Sequence, residues 1–459
     1  MERLTPADLA MLWPDDHGWP QDIGVIAILD GRGLIDSHGS FRIDALREHV
    51  ERRLTWLPRF RQLLHRPPSG LGPPLWVDAE TVDLTEHIQL RALEPPADER
   101  QLLGVCEELR RIPFNHTKPL WRMWCLTGLP DQKVALYIRL HHSVADGVAG
   151  VAILAALVDT APDSPPPPLT PWSPSPPPSS FEMLRDNLSR RLRRLLSALS
   201  GLAHPVTTLR GVWSQCRVVG QMLNEGMASR TSLNRRIGPH RRMVMIRSDL
   251  DTYREIAHHH QGKVNDVLLA VLTGGLRDLL ASRGEPVSEL FLRTMVPVSH
   301  HGEHPDHGVA NYDGGMLIPL PLAETDPARK LRVITTETAR RKQRPQPIMG
   351  SGLLSTTLVQ KLVLRLIPYQ RLGNLSVSNV PGPPMPLYLA GAQLLELFPI
   401  VPITGNITLG VGALSYAGQF NLTVVVDDEA CPDLDVFISG VQRSLGELTD
   451  SVALSQSYR

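Results

Sequence analysis

The chain has 459 residues, 42% of them hydrophobic, and its 47 Lys and Arg residues balance its 47 Asp and Glu residues. This length is typical of two or three domains, and the balanced charge excludes a basic nucleic-acid-binding surface and a charged disordered tail. The four cysteines lie far apart, which favours a reducing cytosol over a disulfide framework or a zinc ribbon. We expect no signal peptide, and no apolar run reaches the ~18 residues of a membrane span.

The first part of the chain alternates helical and extended patterns. Apolar residues recur at helical spacing in residues 41–54 and 97–112, and residues 134–140 (VALYIRL) have the pattern of a strand. Residues 161–180 contain ten prolines, so we predict an extended spacer there. The spacer separates an N-terminal portion from a C-terminal portion.

The second part of the chain begins with a basic amphipathic pattern in residues 181–200. Two interpretations of this predicted helix stay open: an interfacial anchor on anionic lipid, or a crossover helix packed on the second domain. Further on, residues 264–284 predict a helix, and residues 291–299 and 420–427 predict strands. Helices and strands interleave in both portions, which favours an α/β architecture.

The segment HHSVADG (141–147) carries the chemistry. It follows the predicted strand and precedes an apolar helical stretch, so a rigid sheet edge presents two histidines. An imidazole with an unperturbed pKa of about 6.5 is suited to take a proton from an alcohol. Asp146 is expected to fix the turn, and Gly147 allows the tight exit into the helix. An ordinary polar turn is the competing interpretation.

The pattern H-H-x-x-x-D-G is the motif of the CoA-dependent acyltransferase superfamily. Further segments resemble the bacterial wax ester synthase/diacylglycerol acyltransferase family over nearly the whole chain except the proline spacer. They are RLTPADLAMLW near the start, PRFRQLL (58–64), KPLW (118–121), VNDVLLA (264–270), MVPVS (295–299) and SNVPGP (378–383).

The resemblance implies two similar α/β domains with mixed sheets covered by helices and an active-site tunnel between them. We divide the chain into an N-terminal acyltransferase domain (1–160), a spacer with an amphipathic crossover helix (161–240) and a C-terminal acyltransferase domain (241–459). Acyl-CoA is expected to enter the tunnel at one mouth and a lipid hydroxyl at the other.

The resemblance also implies the site residues. His142 is the general base within the catalytic set His141, His142, Asp146 and Gly147, and the alkoxide attacks the thioester directly. The oxyanion donor is expected to be Asn265 or a backbone amide after His142, and these alternatives stay open. The competing interpretation of Asn265 is an N-cap of the following helix.

The remaining predicted substrate-binding residues are Asn379, Val380, Pro381 and Gly382. Alone, they have the pattern of a rigid turn. The resemblance places them near the domain junction and the tunnel.

The expected reaction moves a long-chain acyl group from acyl-CoA to diacylglycerol or a long-chain alcohol. No cofactor and no metal are expected, and the partners are acyl-CoA, the lipid alcohol and a membrane or lipid-droplet surface. Consistent with direct transfer, the sequence has no G-x-S-x-G motif. A condensation-type enzyme using carrier-protein substrates and an inactive lipid-surface-binding family member are the alternatives.

The sequence departs from the family pattern at five positions, which bears on the acceptor and on local charge pairing. They are Gln21, Asp22, Arg122, His300 and His301. The last two begin an H-x-x-E-H spacing, which we interpret as a solvated loop because Gly302 and Pro305 disfavour the helix that a metallopeptidase site needs.

Overall fold

The computed structural model describes residues 2–36, 38–145, 147–203, 226–299, 313–343 and 357–457. The α-helices in this part of the chain are α1 (Pro6–Leu12), α2 (Ile43–Arg53), α3 (Leu84–His87), α4 (Glu99–Arg110), α5 (Gly147–Leu157), α6 (Ser180–Ala203), α7 (Leu250–His259), α8 (Val264–Ser282), α9 (Pro327–Lys342), α10 (Thr357–Leu366) and α11 (Leu434–Ser457). The strands are β1 (Glu2–Arg3), β2 (Asp22–Asp30), β3 (Gln62–His65), β4 (Leu75–Asp78), β5 (Ile88–Ala92), β6 (Trp121–Thr127), β7 (Lys133–His141), β8 (Arg241–Ile246), β9 (Leu292–Ser299), β10 (Asp313–Leu320), β11 (Leu375–Pro381), β12 (Tyr388–Leu389), β13 (Ala392–Ile400), β14 (Leu409–Tyr416) and β15 (Gln419–Asp427).

The predicted elements are confirmed where the apolar pattern is strong. The helices predicted at 41–54, 97–112 and 264–284 and the strands predicted at 134–140, 291–299 and 420–427 all form, with ends shifted by at most two residues. Side-chain caps fix some of these ends, as where Asp98 accepts a hydrogen bond from the first turn of α4.

Among the described residues, the strands form two six-stranded mixed sheets and a small three-stranded antiparallel sheet. The N-terminal sheet has the order β12-β13-β2-β7-β6-β5, and the C-terminal sheet has the order β10-β9-β11-β14-β15-β8. Parallel pairs (β5 with β6, β11 with β14) lie beside antiparallel pairs in both sheets. The α/β class with mixed sheets is therefore confirmed.

The N-terminal sheet contains a strand from the C-terminal portion of the chain. β13 comes from the C-terminal portion but pairs antiparallel with β2, placing Ile400 opposite Gly24. Apolar side chains of β8 and β13, including Met243 and Phe398, share one buried cluster with Trp124 and Tyr137 of the N-terminal sheet. The sheets thus do not follow the chain order, and the predicted division at residues 160 and 240 stays a prediction.

The C-terminal core is centred on α8, whose residues from Asp266 to Leu276 are all buried. This helix packs closely on α11. A Cβ atom on Gly275 would lie 2.7 Å from the Phe437 carbonyl oxygen, so the close approach of the two helices requires glycine there.

The apolar stripe of helix α6 faces outward. Its buried residues Met183 and Asn187 face the N-terminal segment, where Arg3 donates to Asp186 (2.8 Å) and to the Met183 carbonyl (3.0 Å). Six residues of the predicted stripe are 40–72% exposed: Phe181, Leu184, Leu188, Leu192, Leu195 and Leu196. For these residues the interpretation that the stripe packs on the second domain is wrong.

Candidate active site

The histidine motif lies where β7 ends between two neighbouring strands. The backbone amide of His141 donates to the Leu120 carbonyl (3.0 Å), and the amide of His142 donates to the Gln21 carbonyl (2.7 Å). The turn continues with a bond from the Val144 amide to the His141 carbonyl, and Gly147 begins α5. Both histidines therefore have fixed backbones. Asp146 lies outside the described residues.

The side chain of His141 is enclosed and fully engaged. Its Nε2 lies 2.9 Å from Asp15 Oδ2, and its Nδ1 lies 2.6 Å from Ser143 Oγ. The Ser143 backbone amide donates to the same Nδ1 (3.1 Å), so Nδ1 is an acceptor and the ring proton is on Nε2. The His141 ring has no exposed surface, so these hydrogen bonds hold it inside the protein.

Asp15 is a site residue that the sequence analysis missed. It lies in a short 3₁₀ turn, with Oδ2 at 2.9 Å from His141 and 3.7 Å from His116, and with Oδ1 accepting from the Gln21 amide at 3.2 Å. Burial alone would raise its pKa, but the hydrogen bonds of His116 and His141 outweigh burial and hold the pKa well below the usual range. Asp15 thus fastens the ring of His141 and, through Gln21, the backbone of His142.

Gln21 and Asp22, which depart from the family pattern, both have side-chain partners in the structure. Arg139 donates to Asp22 Oδ2 from Nη2 (2.7 Å) and Nε (3.0 Å), and both side chains are buried. Burial raises the pKa of Asp22, and the guanidinium opposes that shift. Gln21 donates to Thr404 Oγ1 at 2.8 Å, which ties this strand to the loop between β13 and β14. The second oxygen of Asp22, Oδ1, is buried without a hydrogen-bond partner among the described residues.

The other departures are placed as follows. Arg122 is the cross-strand neighbour of Arg139 in the β6–β7 pair. His300 and His301, with the rest of the H-x-x-E-H spacing, lie outside the described residues. Within the described ranges there is no cluster of His, Cys, Asp and Glu side chains that could hold a metal.

Asn265 and Asn379 meet although 114 residues separate them. Asn379 Nδ2 donates to Asn265 Oδ1 across 3.5 Å, and both side chains are half-buried. The alternative that Asn265 caps its helix is wrong, because Lys263 is the N-cap of α8 and Asn265 is the second helical residue. The helix α5 that follows the histidine motif lies against β11, the strand of Asn379.

The predicted turn at 379–383 is instead the end of a strand. Strand β11 includes Asn379, Val380 and Pro381 and pairs in parallel with β14. This pairing on one side keeps the segment extended. The amide of Gly382 donates to Ser415 Oγ at 3.2 Å, and a Cβ atom there would lie 2.2 Å from the Ser415 carbonyl oxygen. From this point the chain crosses to the N-terminal sheet.

The described cysteines are unsuited to nucleophilic chemistry. Cys106, Cys125 and Cys431 are buried as free thiols. Burial raises the pKa of Cys106 and Cys431 and raises the pKa of Cys125 to about 12, so none forms a thiolate at neutral pH. Cys216 lies outside the described residues.

Two cavities of about 210 and 530 Å³ are both lined by residues other than those of the histidine motif. The tunnel at His142 therefore stays a prediction. In the described part of the chain no helix is long and apolar enough to cross a membrane.

Two mixed sheets joined by an exchanged strand define a two-domain fold of the CoA-dependent acyltransferase type. The wax ester synthase/diacylglycerol acyltransferase from Marinobacter aquaeolei VT8 shares this fold, with a TM-score of 0.70, 23% identity and coverage of 98% of this chain and 100% of that chain. The starter condensation domain of rhizomide synthetase superposes with a TM-score of 0.61 at 13% identity, covering 98% of this chain and 94% of that chain.

The sequence specifies the family. Residues 4–268 match the wax ester synthase/diacylglycerol acyltransferase catalytic domain, and residues 309–449 match the C-terminal domain of the same family. The chain therefore belongs to this family and is an acyltransferase. A relative in Mycobacterium tuberculosis, named probable diacylglycerol O-acyltransferase, is 28% identical over 99% of this chain and 97% of its own length.

Proposed function

We propose that the protein transfers a long-chain acyl group from acyl-CoA to the hydroxyl of diacylglycerol or of a long-chain alcohol, with His142 as the general base. The observation that carries this proposal is the position of His142 at the end of β7. Its backbone amide is held by the Gln21 carbonyl and its side chain is half-buried, and it follows His141, whose ring is completely buried.

The base has to remove a proton from an alcohol, whose pKa near 16 makes it a poor nucleophile in water. A positioned imidazole lowers the barrier by taking that proton as the carbon–oxygen bond forms, which typically accelerates a reaction ~100- to 10,000-fold. The alkoxide then adds to the thioester carbonyl. Collapse of the tetrahedral intermediate expels the CoA thiolate, which takes the proton from the imidazolium.

The oxyanion formed in this step needs a hydrogen-bond donor. Asn379 Nδ2 donates to Asn265 Oδ1, so the oxygen of Asn265 is occupied and its Nδ2 group is oriented away from that bond. We therefore assign Asn265 as an oxyanion donor and Asn379 as the residue that orients it. Val380, Pro381 and Gly382 continue the same strand end and complete this wall of the site.

Direct transfer without an acyl-enzyme is supported by the chemistry of the thiols. The three described cysteines are buried with raised pKa values, and acyl-CoA itself supplies the activated acyl group. No further cofactor enters the proposed reaction.

The water-insoluble acceptor requires contact with a lipid surface, and we assign that contact to α6. Its exposed leucines lie beside exposed arginines, among them Arg185, Arg191 and Arg193. Apolar side chains flanked by cations fit an anionic membrane or lipid-droplet surface. Because the face of α6 that carries Met183 and Asp186 is fastened to Arg3, the stripe is held outward without a partner from the described residues.

The proposal is tested by assaying the purified protein with palmitoyl-CoA against diacylglycerol, hexadecanol and a no-acceptor control, with lipid products and free CoA measured together. We expect triacylglycerol or wax ester and stoichiometric CoA release only when an acceptor is present. Product from a palmitoylated carrier protein but not from palmitoyl-CoA would favour a condensation-type enzyme. A folded protein with no product from either donor would be an inactive family member.

A further inference from the structure

A polar cavity of about 210 Å³ lies between the loop that precedes β8, the loop that precedes β11 and the loop between β13 and β14. Its wall includes Ser229 and Asn234 from the first loop, Gln370 and Asn374 from the second, and Asn406 from the third. None of these residues belongs to the histidine motif. The cavity is therefore separate from the reacting atoms.

The four carboxamides of the wall are held by one another and by the backbone. Asn374 Nδ2 donates to Asn234 Oδ1 (2.7 Å), and the Arg293 amide donates to Asn374 Oδ1 (3.0 Å). Gln370 Nε2 donates to Asn406 Oδ1 (2.8 Å). The Gln370 oxygen in turn accepts the backbone amide of residue 372 at 2.6 Å. All four amide oxygens are thus occupied by protein donors.

The charged side chains that line the cavity are both cations. Arg230 and Arg371 line the wall, and no carboxylate does. Arg371 Nε donates to the Ala228 carbonyl (3.1 Å), which orients its guanidinium. Neither arginine forms an ion pair in the described part of the chain. Two cations with the amide oxygens already occupied make a site that favours an anion, and a guanidinium matches the oxygens of phosphate.

The cavity is joined to the active site through a short series of contacts. Asn406 is two residues from Thr404, whose Oγ1 lies 2.8 Å from Gln21 Nε2. The Gln21 carbonyl accepts the His142 amide. CoA carries its phosphates at the end of a long arm, remote from the thioester, so its phosphate site is expected on a separate but adjoining surface.

We infer that this cavity binds the 3′-phosphorylated ADP end of acyl-CoA through Arg230 and Arg371. The inference rests on the proposed function for the identity of the donor. It adds the phosphate site, which it assigns to two of the 47 Lys and Arg residues.

The test uses the full chain and measures binding of 3′,5′-ADP by titration calorimetry to wild type, Arg230→Gln, and Arg230→Gln/Arg371→Gln. We expect about tenfold weaker binding for each arginine removed, which corresponds to ~1.4 kcal/mol each. The KM for palmitoyl-CoA should rise in parallel while kcat at saturation is kept. Arg254→Gln, which removes an exposed arginine of α7, is the matched control and should bind like wild type.

Three results would overturn the inference: unchanged 3′,5′-ADP affinity in the folded double variant, equal affinity for CoA and dephospho-CoA in wild type, or displacement of 3′,5′-ADP by phosphatidylglycerol vesicles but not by CoA. The last result would assign the site to a lipid headgroup. Because 3′,5′-ADP binding is read without turnover, arginine-dependent binding in a protein without acyltransferase activity would support the site and reject the proposed function.

Discussion

Each of the two large sheets holds a buried arginine–aspartate pair, but in the described part of the chain only the pair of the N-terminal sheet lies opposite an enclosed histidine side chain, that of His141. In the N-terminal sheet Arg139 pairs with Asp22 at 2.7 Å, and in the C-terminal sheet Arg241 pairs with Asp427 at 3.3 Å. In the second pair, the Arg241 guanidinium donates to the carbonyls of Gly238 and His240, and Asp427 accepts from the backbone amides of Gly238 and Ala430. A buried ion pair is thus a structural feature of both sheets. What distinguishes the N-terminal sheet edge is the enclosed His141 and, next to it, His142, which is the general base in the proposed function.

The largest expected effect is that of His142→Ala, which removes the base from the N-terminal sheet edge. We expect loss of ester formation by ~100- to 10,000-fold in a protein that stays folded. The comparison is made by product assay and thermal unfolding on one preparation. His258→Ala, on the exposed face of α7, is the matched control and should keep full activity. A folded His142→Ala protein with wild-type activity is incompatible with the mechanism.

The two ion pairs can be separated by Asp22→Ala and Asp427→Ala. Each variant leaves a buried guanidinium without its carboxylate, so the free energy of unfolding should fall by ~3 kcal/mol or more in both. Only Asp22→Ala should also lower kcat, because the adjoining Gln21 carbonyl holds the His142 amide. Urea unfolding and kcat at a permissive temperature measure the two effects. An equal loss of kcat in Asp427→Ala would remove the distinction between the sheets.

Asp15→Ala tests whether the enclosure of His141 matters. The variant leaves the His141 Nε2 proton without its acceptor, which should cost ~1.5–3 kcal/mol of stability, and kcat should fall about tenfold as the histidines lose their orientation. Asp15→Asn, which keeps an acceptor oxygen, should recover most of kcat. If Asp15→Asn is as impaired as Asp15→Ala, the role of Asp15 is not positional.

The same residue predicts a pH dependence of stability. The native pKa of Asp15 is depressed, so its contribution is complete above its ordinary pKa of 3.8 and is lost as the pH falls through the native pKa. The difference in unfolding free energy between wild type and Asp15→Asn should therefore be constant near neutral pH and shrink below about pH 4. A difference that grows on acidification would contradict the depressed pKa.

The smallest effect on turnover concerns α6, which belongs to neither sheet. Replacing Arg185, Arg191 and Arg193 with glutamine should weaken binding to anionic vesicles by ~1 kcal/mol per charge and leave turnover of a short soluble alcohol unchanged. Cosedimentation at several salt concentrations measures the binding. Leu192→Ser should weaken binding to neutral vesicles as well, whereas Leu90→Ser, an exposed leucine of β5, should not. Unchanged vesicle binding in all α6 variants would exclude this helix as the contact.

The fold could be predicted from the sequence where one local pattern determines the structure. The alternating pattern of β7, the apolar pattern of α8 and the histidine motif each lie within one short segment of the chain. Asp15 was missed because it meets His141 only after β2 and β7 have paired, 126 residues apart. The strand at 379–381 was read as a turn because its proline and glycine are turn residues, and only the partner strand β14 decides otherwise.

The orientation of α6 also could not be predicted, because an amphipathic pattern defines an apolar and a polar face but not which of them is buried. The salt bridge from Arg3 fixes the face of α6 that carries Asp186 against the protein. These two residues are too far apart in the chain for a local pattern to reveal their contact.

Direct transfer is tested most sharply by the intact mass of the full chain after incubation with excess palmitoyl-CoA, first without and then with hexadecanol. The mechanism predicts an unchanged protein mass in both samples, with CoA released and wax ester formed only when the alcohol is present. A protein that gains one palmitoyl group without the alcohol and loses it when the alcohol is added would contradict His142 base catalysis without an acyl-enzyme.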